Sequence, residues 1–213
     1  CLNRGCIPSK RLLYHADVRE TVARAEEFHL DVTVADADVG AIVREVTEAV
    51  AASSDAIRRG LRTSDAHALY EGLGRFVGER TVEVSEGPDA GATLRAERVL
   101  VATGSRPAIP PIDGLDGVDY LTSTEALRLE RPPDHLLVVG GGYVAAELAH
   151  FFGTFGSDVT IVGRRPTLVP EADREVATAF TERYADRFTV HVGHAATAAT
   201  TGDGEITVTA HPY

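Results

Sequence analysis

Several features are scarce in these 213 residues, and each absence excludes a class of protein. There is a single lysine, and 21 basic residues stand against 32 acidic ones; the resulting net charge of −11 argues against a surface for nucleic acid or anionic membranes. No run approaches the roughly 18 uninterrupted apolar residues of a membrane span, and the first residues form neither a basic nor an apolar leader. We therefore expect a soluble, cytoplasmic protein with no membrane and no nucleic-acid partner.

Cysteine is also scarce, since Cys1 and Cys6 are the only two and both lie in the opening stretch CLNRGCIPSK. A secreted disulfide scaffold spreads many cysteines through a short chain, which excludes that class. The apolar fraction of 44% is ordinary for a globular protein. Concentrating both thiols in one loop indicates local redox or metal chemistry.

The hydrophobic periodicity predicts a chain of mixed α/β class. Apolar residues recur at helical spacing over 9–27 and 39–61, and Pro8 suits the first turn of the earlier helix. The period then changes to two, which predicts short antiparallel strands at 75–77 and 81–84 and a buried strand at 98–102.

The later part of the chain changes character twice. Residues 109–134 are rich in proline, glycine and aspartate, which is typical of a linker. Beyond them the pattern becomes β-α-β, and the predicted elements are strands at 135–139, 158–162, 188–192 and 205–209 and helices at 143–155 and 171–185. We therefore divide the chain into 1–108, a linker at 109–134, and 135–213.

A glycine turn lies directly between a predicted strand and a predicted helix, in the order Gly140, Gly142, Ala145. The first glycine permits a tight turn, the second lets the backbone approach a pyrophosphate, and the small third residue lets the helix pack closely on the strand. The N-terminus of the helix would then face the phosphates with free N–H groups. This context favours a dinucleotide site over a merely structural turn.

The residue that contacts the adenine ribose is expected about 20 positions further on, at the end of the next strand. That place holds Gly163, Arg164 and Arg165, and no carboxylate. Guanidinium groups suit a ribose 2′-phosphate through charge-assisted, bidentate contacts, which favours NADP(H) over NAD(H). The alternative is that one or both arginines are solvated surface charges.

Metal binding is the weakest interpretation of the cysteine pair. Zinc sites usually combine two cysteines with a second pair of cysteines or histidines at short spacing, and no such partner set occurs. His191 and His194 are three residues apart, but nothing in the sequence ties them to the cysteines, and we interpret them as surface histidines. We expect no metal site.

A disulfide between Cys1 and Cys6 requires a distorted turn. Residues five apart in a regular helix are about 8 to 9 Å from each other, whereas a disulfide tolerates Cα separations of at most roughly 7 Å. Gly5 permits such a turn. A ring this short stabilises little, so a structural staple is a poor explanation. A helix start close to Arg4, Lys10 and Arg11 favours thiolate and therefore a redox role.

Three motifs follow one another along the chain: CLNRGCIPSK, VLVATGSRP and VVGGGYVAAELAH. With these motifs the sequence resembles the class I pyridine nucleotide-disulfide oxidoreductases, the flavoprotein family of dihydrolipoamide dehydrogenase, glutathione reductase, mycothione reductase and mercuric reductase. The resemblance implies two Rossmann-like domains, each with a parallel βαβ sheet and a small antiparallel β-meander. Residues 1–108 would be part of the FAD-binding domain and 135–213 part of the NAD(P)-binding domain, in a protein that forms homodimers.

The resemblance also implies residue roles. Cys1 would attack the disulfide substrate, Cys6 would lie against the flavin, Tyr143 would be a movable ring over the nicotinamide pocket, and Glu147 would orient the nicotinamide. The residues expected at FAD are Lys10, Gly72, Thr103, Gly104 and Ser105, and those expected at NAD(P)H are Gly140, Gly141, Gly142, Tyr143, Val144, Ala145, Ala146, Glu147, Gly163, Arg164 and Arg165. The family's first FAD-binding glycine turn and its His-Glu acid–base pair are expected outside this chain, which is therefore predicted to be an inactive fragment.

The implied activity is reduction of a small disulfide by NAD(P)H through FAD and the Cys1–Cys6 pair. Tyr143, Ala145 and the paired arginines resemble the glutathione and mycothione reductases more than dihydrolipoamide dehydrogenase. The runs SRPAIPP, GVDYLTS and AAELAHFF are especially similar to mycothione reductase and bis-γ-glutamylcystine reductase. CLNxGCIPSK is also the form found in dihydrolipoamide dehydrogenase, so that enzyme is the alternative within the family. A non-catalytic nucleotide-binding fragment is the alternative from another class. Arg4 departs from the apolar residue that is common in the family.

Overall fold

The computed structural model describes residues 1–34 and 36–213, and it confirms a mixed α/β chain. The helices are α1 (Cys6–Ala23), α2 (Val39–Arg62), α3 (Ser123–Ala126), α4 (Tyr143–Thr154) and α5 (Arg174–Ala185), with short 3-10 helices at Ala25–Phe28 and Leu115–Gly117. The strands are β1 (Gly74–Gly78), β2 (Thr81–Val84), β3 (Thr93–Arg95), β4 (His135–Val139), β5 (Asp158–Gly163), β6 (Thr189–Val192), β7 (His194–Gly202) and β8 (Glu205–Pro212).

The chain divides into two compact units. Unit 1 comprises Cys1–Ala51 and Pro107–Tyr213, and unit 2 comprises Ala52–Arg106. These units reflect contacts within this chain, whereas the division at residues 108 and 134 concerns domains of a whole protein, and it stays a prediction.

Helix α1 begins at Cys6, three residues before the predicted start, and ends at Ala23, four residues before the predicted end. Pro8 is its third residue, where a missing N–H loses no helical hydrogen bond because the first N–H groups have no partner in the helix. Beyond Arg24 the chain tightens into the 3-10 helix Ala25–Phe28, which ends at His29 in the left-handed conformation. The apolar residues near position 27 therefore belong to a separate short element.

The first core cluster of unit 1 joins α1, α2 and α4. Helix α2 buries Val39, Val43 and Val46, which recur at the spacing of one helix face. These valines lie in one cluster with residues of the other elements, namely Leu12, Ala16, Ala126, Leu127, Phe151 and Phe152. Phe151 and Phe152 are each 1% exposed, and their rings meet edge to face with centroids 5.2 Å apart. This cluster packs α1, which carries Cys6, together with α4, which follows the glycine turn.

The parallel sheet of unit 1 has the order β4-β5-β6. Strand β5 lies in the middle, pairing Val159 with Leu136 of β4 and Ile161 with Val190 of β6. Val159 and Ile161 are almost fully buried, as expected for a central parallel strand. Helix α4 connects β4 to β5, so the predicted βαβ unit is confirmed with boundaries within one residue of those expected.

A two-stranded antiparallel sheet, β7-β8, completes unit 1. The sequence does not predict strand β7, because its residues HAATAATTG are mostly alanine and threonine and lack a regular alternation of apolar and polar residues. Ala199 of β7 packs with Ile112 and Val118 in a separate buried cluster. The Asp113 N–H donates to the Thr197 carbonyl at 2.9 Å and the Ala199 N–H donates to the Asp113 carbonyl at 2.8 Å, so part of the segment 109–134 is anchored on the hairpin.

Unit 2 is an antiparallel β-meander, β1-β2-β3, preceded by the second half of α2. The strands predicted at 75–77 and 81–84 are confirmed. The strand predicted at 98–102 is wrong: these residues form no strand, and Leu100 is 90% exposed. An apolar run becomes a buried strand only when another strand pairs with it, and none of the described residues does so here.

Among the described residues, no helix is both long enough and apolar enough to cross a membrane.

Candidate active site

The two cysteines meet at the first turn of α1. The chain folds back before the helix, because the Ile7 N–H donates to the Cys1 carbonyl at 3.2 Å and the Ser9 N–H to the Gly5 carbonyl at 3.1 Å. A Cβ on Gly5 would lie only 3.3 Å from the Cys1 Cα, so a side chain there would crowd the turn. As a result the Sγ atoms of Cys1 and Cys6 are 2.9 Å apart, both as free thiols in exposed residues.

The electrostatic environment at the start of this turn is positive. The first turn of α1 contains no acidic residue, and no side chain caps its N-terminus. The positive end of the helix dipole therefore faces the Cys6 region. Arg4 lies close enough to contribute to the lowered pKa of Glu125, although the hydrogen bond from the Thr122 side chain is the largest cause of that shift.

An ion pair connects α1 with α4. Lys10 lies one helical turn after Cys6, and its Nζ donates to Oε1 of Glu147 on α4. The Lys10 side chain is 61% exposed and that of Glu147 is 22% exposed. The structure thus brings together two residues that the sequence placed at different cofactors, through a contact that spans 137 positions of the chain.

The glycine turn has the features of a phosphate-binding loop. Gly140 has φ +132°, a conformation that favours glycine, and its N–H donates to the Val162 carbonyl at 2.8 Å. Gly142 caps α4 without a side chain, so that no side-chain acceptor occupies the first N–H groups of the helix. Ala145 and Ala146 are buried on the inner face of the helix, as the small third residue of the motif requires. Tyr143 and Val144 point outward, 71% and 40% exposed.

The arginine pair follows β5 at the carboxyl edge of the parallel sheet. Gly163 is buried and lies against Gly141, where a Cβ on Gly163 would be 3.5 Å from the Gly141 Cα. Arg164 and Arg165 are exposed. The guanidinium carbon of Arg164 lies 5.5 Å from the ring centroid of Tyr213, and the Arg165 carbonyl accepts from the Gly193 N–H at 2.9 Å. The turns after β4 and β5 are therefore adjacent, as a dinucleotide site requires.

The remaining sequence candidates belong to unit 2. Thr103, Gly104 and Ser105 are exposed in an irregular segment, in which Gly104 has φ +74°. Gly72 has a structural role in its own unit, because a Cβ there would overlap the Glu86 carbonyl oxygen and the Val84 side chain. The structure therefore explains Gly72 by close packing inside the meander.

Sequence reasoning missed a second polar cluster on α4. His150 lies three residues after Glu147 and therefore on nearly the same helix face. It contacts Asp17 and Glu20 of α1 and Arg187, which follows α5. The three-residue spacing between Glu147 and His150 is the signal in the sequence from which this cluster could have been predicted. Among the described residues, no group of three or more histidine, cysteine, aspartate or glutamate side chains could hold a metal ion.

Comparison with known proteins gives one consistent result. The pyridine nucleotide-disulphide oxidoreductase family matches residues 1–211. Mycothione reductase of Mycobacterium tuberculosis is 34% identical over 85% of this chain and 40% of its own length, and mercuric reductase of Bacillus cereus is 35% identical over 85% of this chain and 28% of its own length. Dihydrolipoyl dehydrogenase 2 of Haloarcula marismortui is 36% identical over 86% of this chain and 39% of its own length.

The fold agrees with a solved structure. The HOCl-induced flavoprotein disulfide reductase RclA from Escherichia coli superimposes with a TM-score of 0.81 at 23% identity, over 98% of this chain and 44% of that one. At this identity the likeness shows the fold alone. The chain thus spans less than half the length of the proteins that it matches.

Proposed function

Because the chain belongs to the pyridine nucleotide-disulphide oxidoreductase family, we propose that it carries the redox-cysteine and nucleotide-binding parts of an FAD-dependent NAD(P)H:disulfide oxidoreductase. The observation that carries the proposal is the placement of the cysteine pair at the start of α1, whose Lys10 pairs with Glu147 of α4. Thiol redox chemistry and dinucleotide binding thereby meet on neighbouring helices of one compact unit. Cys1 and Cys6 are the proposed catalytic residues.

The nucleotide site is assigned to the turns after β4 and β5. The residues fit a pyrophosphate, because the glycine turn leaves the N-terminus of α4 without a side-chain cap and Gly141 packs against Gly163. Glu147 and the exposed Tyr143 lie in the first two turns of α4, where the nicotinamide end is expected. The exposed Arg164 and Arg165 support NADP(H) over NAD(H), since two guanidinium groups match a 2′-phosphate.

FAD-binding roles are assigned to Lys10 within unit 1 and, separately, to Gly72, Thr103, Gly104 and Ser105 within unit 2. The exposed backbone of 103–105 leaves its polar groups accessible to a cofactor, which fits the assignment. FAD, when bound, supplies the two-electron chemistry that links NAD(P)H with a disulfide. The chain's own contribution is to hold Lys10 beside Glu147 and the thiols at the start of α1.

The exchange with substrate follows from the thiol geometry. The Cys1 thiolate attacks one sulfur of the substrate disulfide, which forms a mixed disulfide and releases one substrate thiolate. Cys6, with its Sγ 2.9 Å away, then attacks the Cys1 sulfur. The Cys1–Cys6 bond forms, the second substrate thiolate leaves, and protons from solvent convert both products to thiols. The two electrons that the dithiol loses are those that the substrate gains.

For the substrate we propose a small disulfide of the mycothiol type. The sequence motifs and the match to mycothione reductase support this choice. Lipoamide is the second candidate, which the match to dihydrolipoyl dehydrogenase 2 favours. Turnover of the complete protein with mycothiol disulfide, bis-γ-glutamylcystine, lipoamide and mercuric ion, each with NADPH and with NADH, distinguishes the candidates. A clear preference for lipoamide and NADH would replace the proposed substrate and nucleotide together.

The test of the redox role uses Cys1→Ser and Cys6→Ser in the complete protein. Each variant should lose disulfide reduction, because one thiol cannot complete the exchange. Oxidation of NAD(P)H by a small artificial electron acceptor should persist in both variants and serves as the control for folding and cofactor binding. Normal disulfide turnover in either variant, or a colourless protein without flavin, would contradict the proposal and favour a non-catalytic nucleotide-binding role.

The domain division and the oligomeric state belong to the same proposal. We assign 1–108 to a flavin-binding domain, 109–134 to a linker and 135–213 to a nucleotide-binding domain, in a homodimer. The molecular mass of the complete protein in solution tests the dimer.

A further inference from the structure

Helix α1 contacts its neighbours through a narrow apolar seam. Its buried residues are Pro8, Leu12 and Ala16, which lie four residues apart along one line. Apolar contacts of this kind have no preferred direction. They therefore determine which face of α1 is buried, but they constrain the position of α1 along its own axis only weakly. Hydrogen bonds have narrow limits of distance and angle, and polar contacts are therefore better suited to define that axial position.

Polar contacts between α1 and α4 occur at two places. The first is Lys10 with Glu147, near the cysteines. The second begins at Asp17, about 10 Å further along α1 at 1.5 Å per residue. There the His150 Nε2 lies 3.0 Å from Asp17 Oδ1, and Arg19 Nε donates to the Thr154 carbonyl at 2.7 Å. Two attachment points at this separation resist both sliding and tilting of α1.

The partners of His150 define its tautomer. Its side chain is 13% exposed, and Nδ1 lies 3.2 Å from Nη1 of Arg187, which can only donate. Nδ1 therefore accepts, and Nε2–H donates to Asp17. Glu20 Oε1 is 3.6 Å from Nδ1, beyond hydrogen-bond distance, and pairs with Arg187 instead. Thr154 Oγ1, 3.5 Å from Nδ1, is the remaining polar neighbour.

We propose that neutral His150 is a positioning residue, which bridges Asp17 of α1 and Arg187 beyond α5. This bridge fixes the position of α1 along α4. It thereby holds Lys10 opposite Glu147 and keeps the cysteine pair in the position that the exchange requires. Nothing in the exchange chemistry requires His150 to touch substrate or cofactor. Its effect reaches the thiols through α1, which carries Cys6 and whose Ile7 N–H donates to the Cys1 carbonyl. The inference rests on the proposed function, since it concerns the geometry of that same site.

The experiment compares His150→Ala, His150→Gln and His150→Lys in the complete flavoprotein. Reduction by NADPH is followed as the long-wavelength absorption band of a thiolate beside oxidised flavin, and amide hydrogen exchange of α1 is measured in parallel. His150→Ala should slow the limiting rate of band formation by about tenfold or more at an unchanged KM for NADPH, because small misplacements of reacting groups are costly. It should also speed exchange in the second half of α1.

The other two variants test the neutral bridge. Glutamine can donate to Asp17 and accept from Arg187, so His150→Gln should retain most of the rate. Lysine places a permanent cation beside Arg187, so His150→Lys should behave like His150→Ala. Rescue by lysine and not by glutamine would overturn the neutral bridge. Asp17→Ala combined with His150→Ala should cost no more than either change alone, because both break the same contact.

A matched control is His135→Ala. His135 also faces a carboxylate, Asp158, at 3.5 Å, but it is 84% exposed and lies on β4. Its variant should leave both readouts unchanged. If His150→Ala lowers only the melting temperature and forms the band at the normal rate, the positioning role is contradicted while the proposed function stands. If the unmodified protein forms no such band, the proposed function itself fails.

Discussion

Residues 135–192 and residues 52–106 differ in how they use their apolar side chains. In the first region, α4 and β5 bury residues such as Phe151, Phe152 and Ile161 to 1% or less of their exposed area. In the second, Val84 is the only buried residue, and Phe76, Val77 and Leu100 are all more than half exposed. The comparison shows that an apolar pattern produces a core only where the elements that cover it are present in the same unit.

Replacing one phenylalanine by alanine in each region tests this comparison most directly. Phe152→Ala should lower the free energy of unfolding by about 3 to 5 kcal/mol, because it leaves a cavity between α1, α2 and α4. Phe76→Ala, at a side chain that is 53% exposed, should change it by no more than about 0.5 kcal/mol. Thermal denaturation measures both. A large loss for Phe76→Ala in the complete protein would show that Phe76 is covered there.

A glycine in unit 2 gives the next largest effect. Gly72→Ala should destabilise the meander by about 1 to 3 kcal/mol, because the added methyl overlaps the Glu86 carbonyl and Val84. Gly60→Ala is the control, since beyond its own helix backbone and chain neighbours no atom lies within 4 Å of the added methyl, and alanine favours a helix by up to about 1 kcal/mol. Hydrogen exchange of β1 and β2 should increase in the first variant only. Equal increases of hydrogen exchange in the two variants would mean that the close packing around Gly72 does not stabilise unit 2.

A polar contact within the core of unit 1 should have a smaller effect. Burial raises the pKa of Tyr184, with Arg187 opposing and Glu20 and Glu147 reinforcing the shift, and its hydroxyl donates to the Ala146 carbonyl at 3.1 Å. Tyr184→Phe should cost about 1 kcal/mol at neutral pH. A raised pKa contributes stability that is present below about pH 10 and is lost as the pH rises through the folded value. The cost should therefore shrink in alkaline solution, as denaturation curves at increasing pH would reveal.

The smallest effect is expected at the cap of α3. The hydrogen bond from the Thr122 side chain, followed by backbone hydrogen bonds, lowers the pKa of Glu125. A lowered pKa contributes stability above about pH 4.3 that is lost as the pH falls through the folded value. The Glu125→Gln variant should therefore have a slightly lower melting temperature than the unmodified protein at pH 7 and the same melting temperature in strong acid.

The βαβ unit could be predicted almost to the residue, because its signals are local. A glycine that needs φ +132° and the apolar run LLVV of β4 determine their own conformation. The failures at 98–102 and at β7 have one cause, since pairing partners rather than local composition decide whether such segments become strands. The cysteine turn was expected, but the Lys10–Glu147 and His150–Asp17 contacts span more than 130 positions and leave no local pattern in the sequence.

The Lys10–Glu147 pair has a practical consequence for chemical labelling. Lys10 is the only lysine in this chain, and more than half of its side chain is exposed. An amine-directed reagent, or enzymatic acetylation, therefore has one side-chain target here, four residues from Cys6. Because acylation removes the charge, it would release Glu147 from its partner. A fluorophore attached at Lys10 would report on the junction of α1 and α4 with no competing side-chain label elsewhere in the chain.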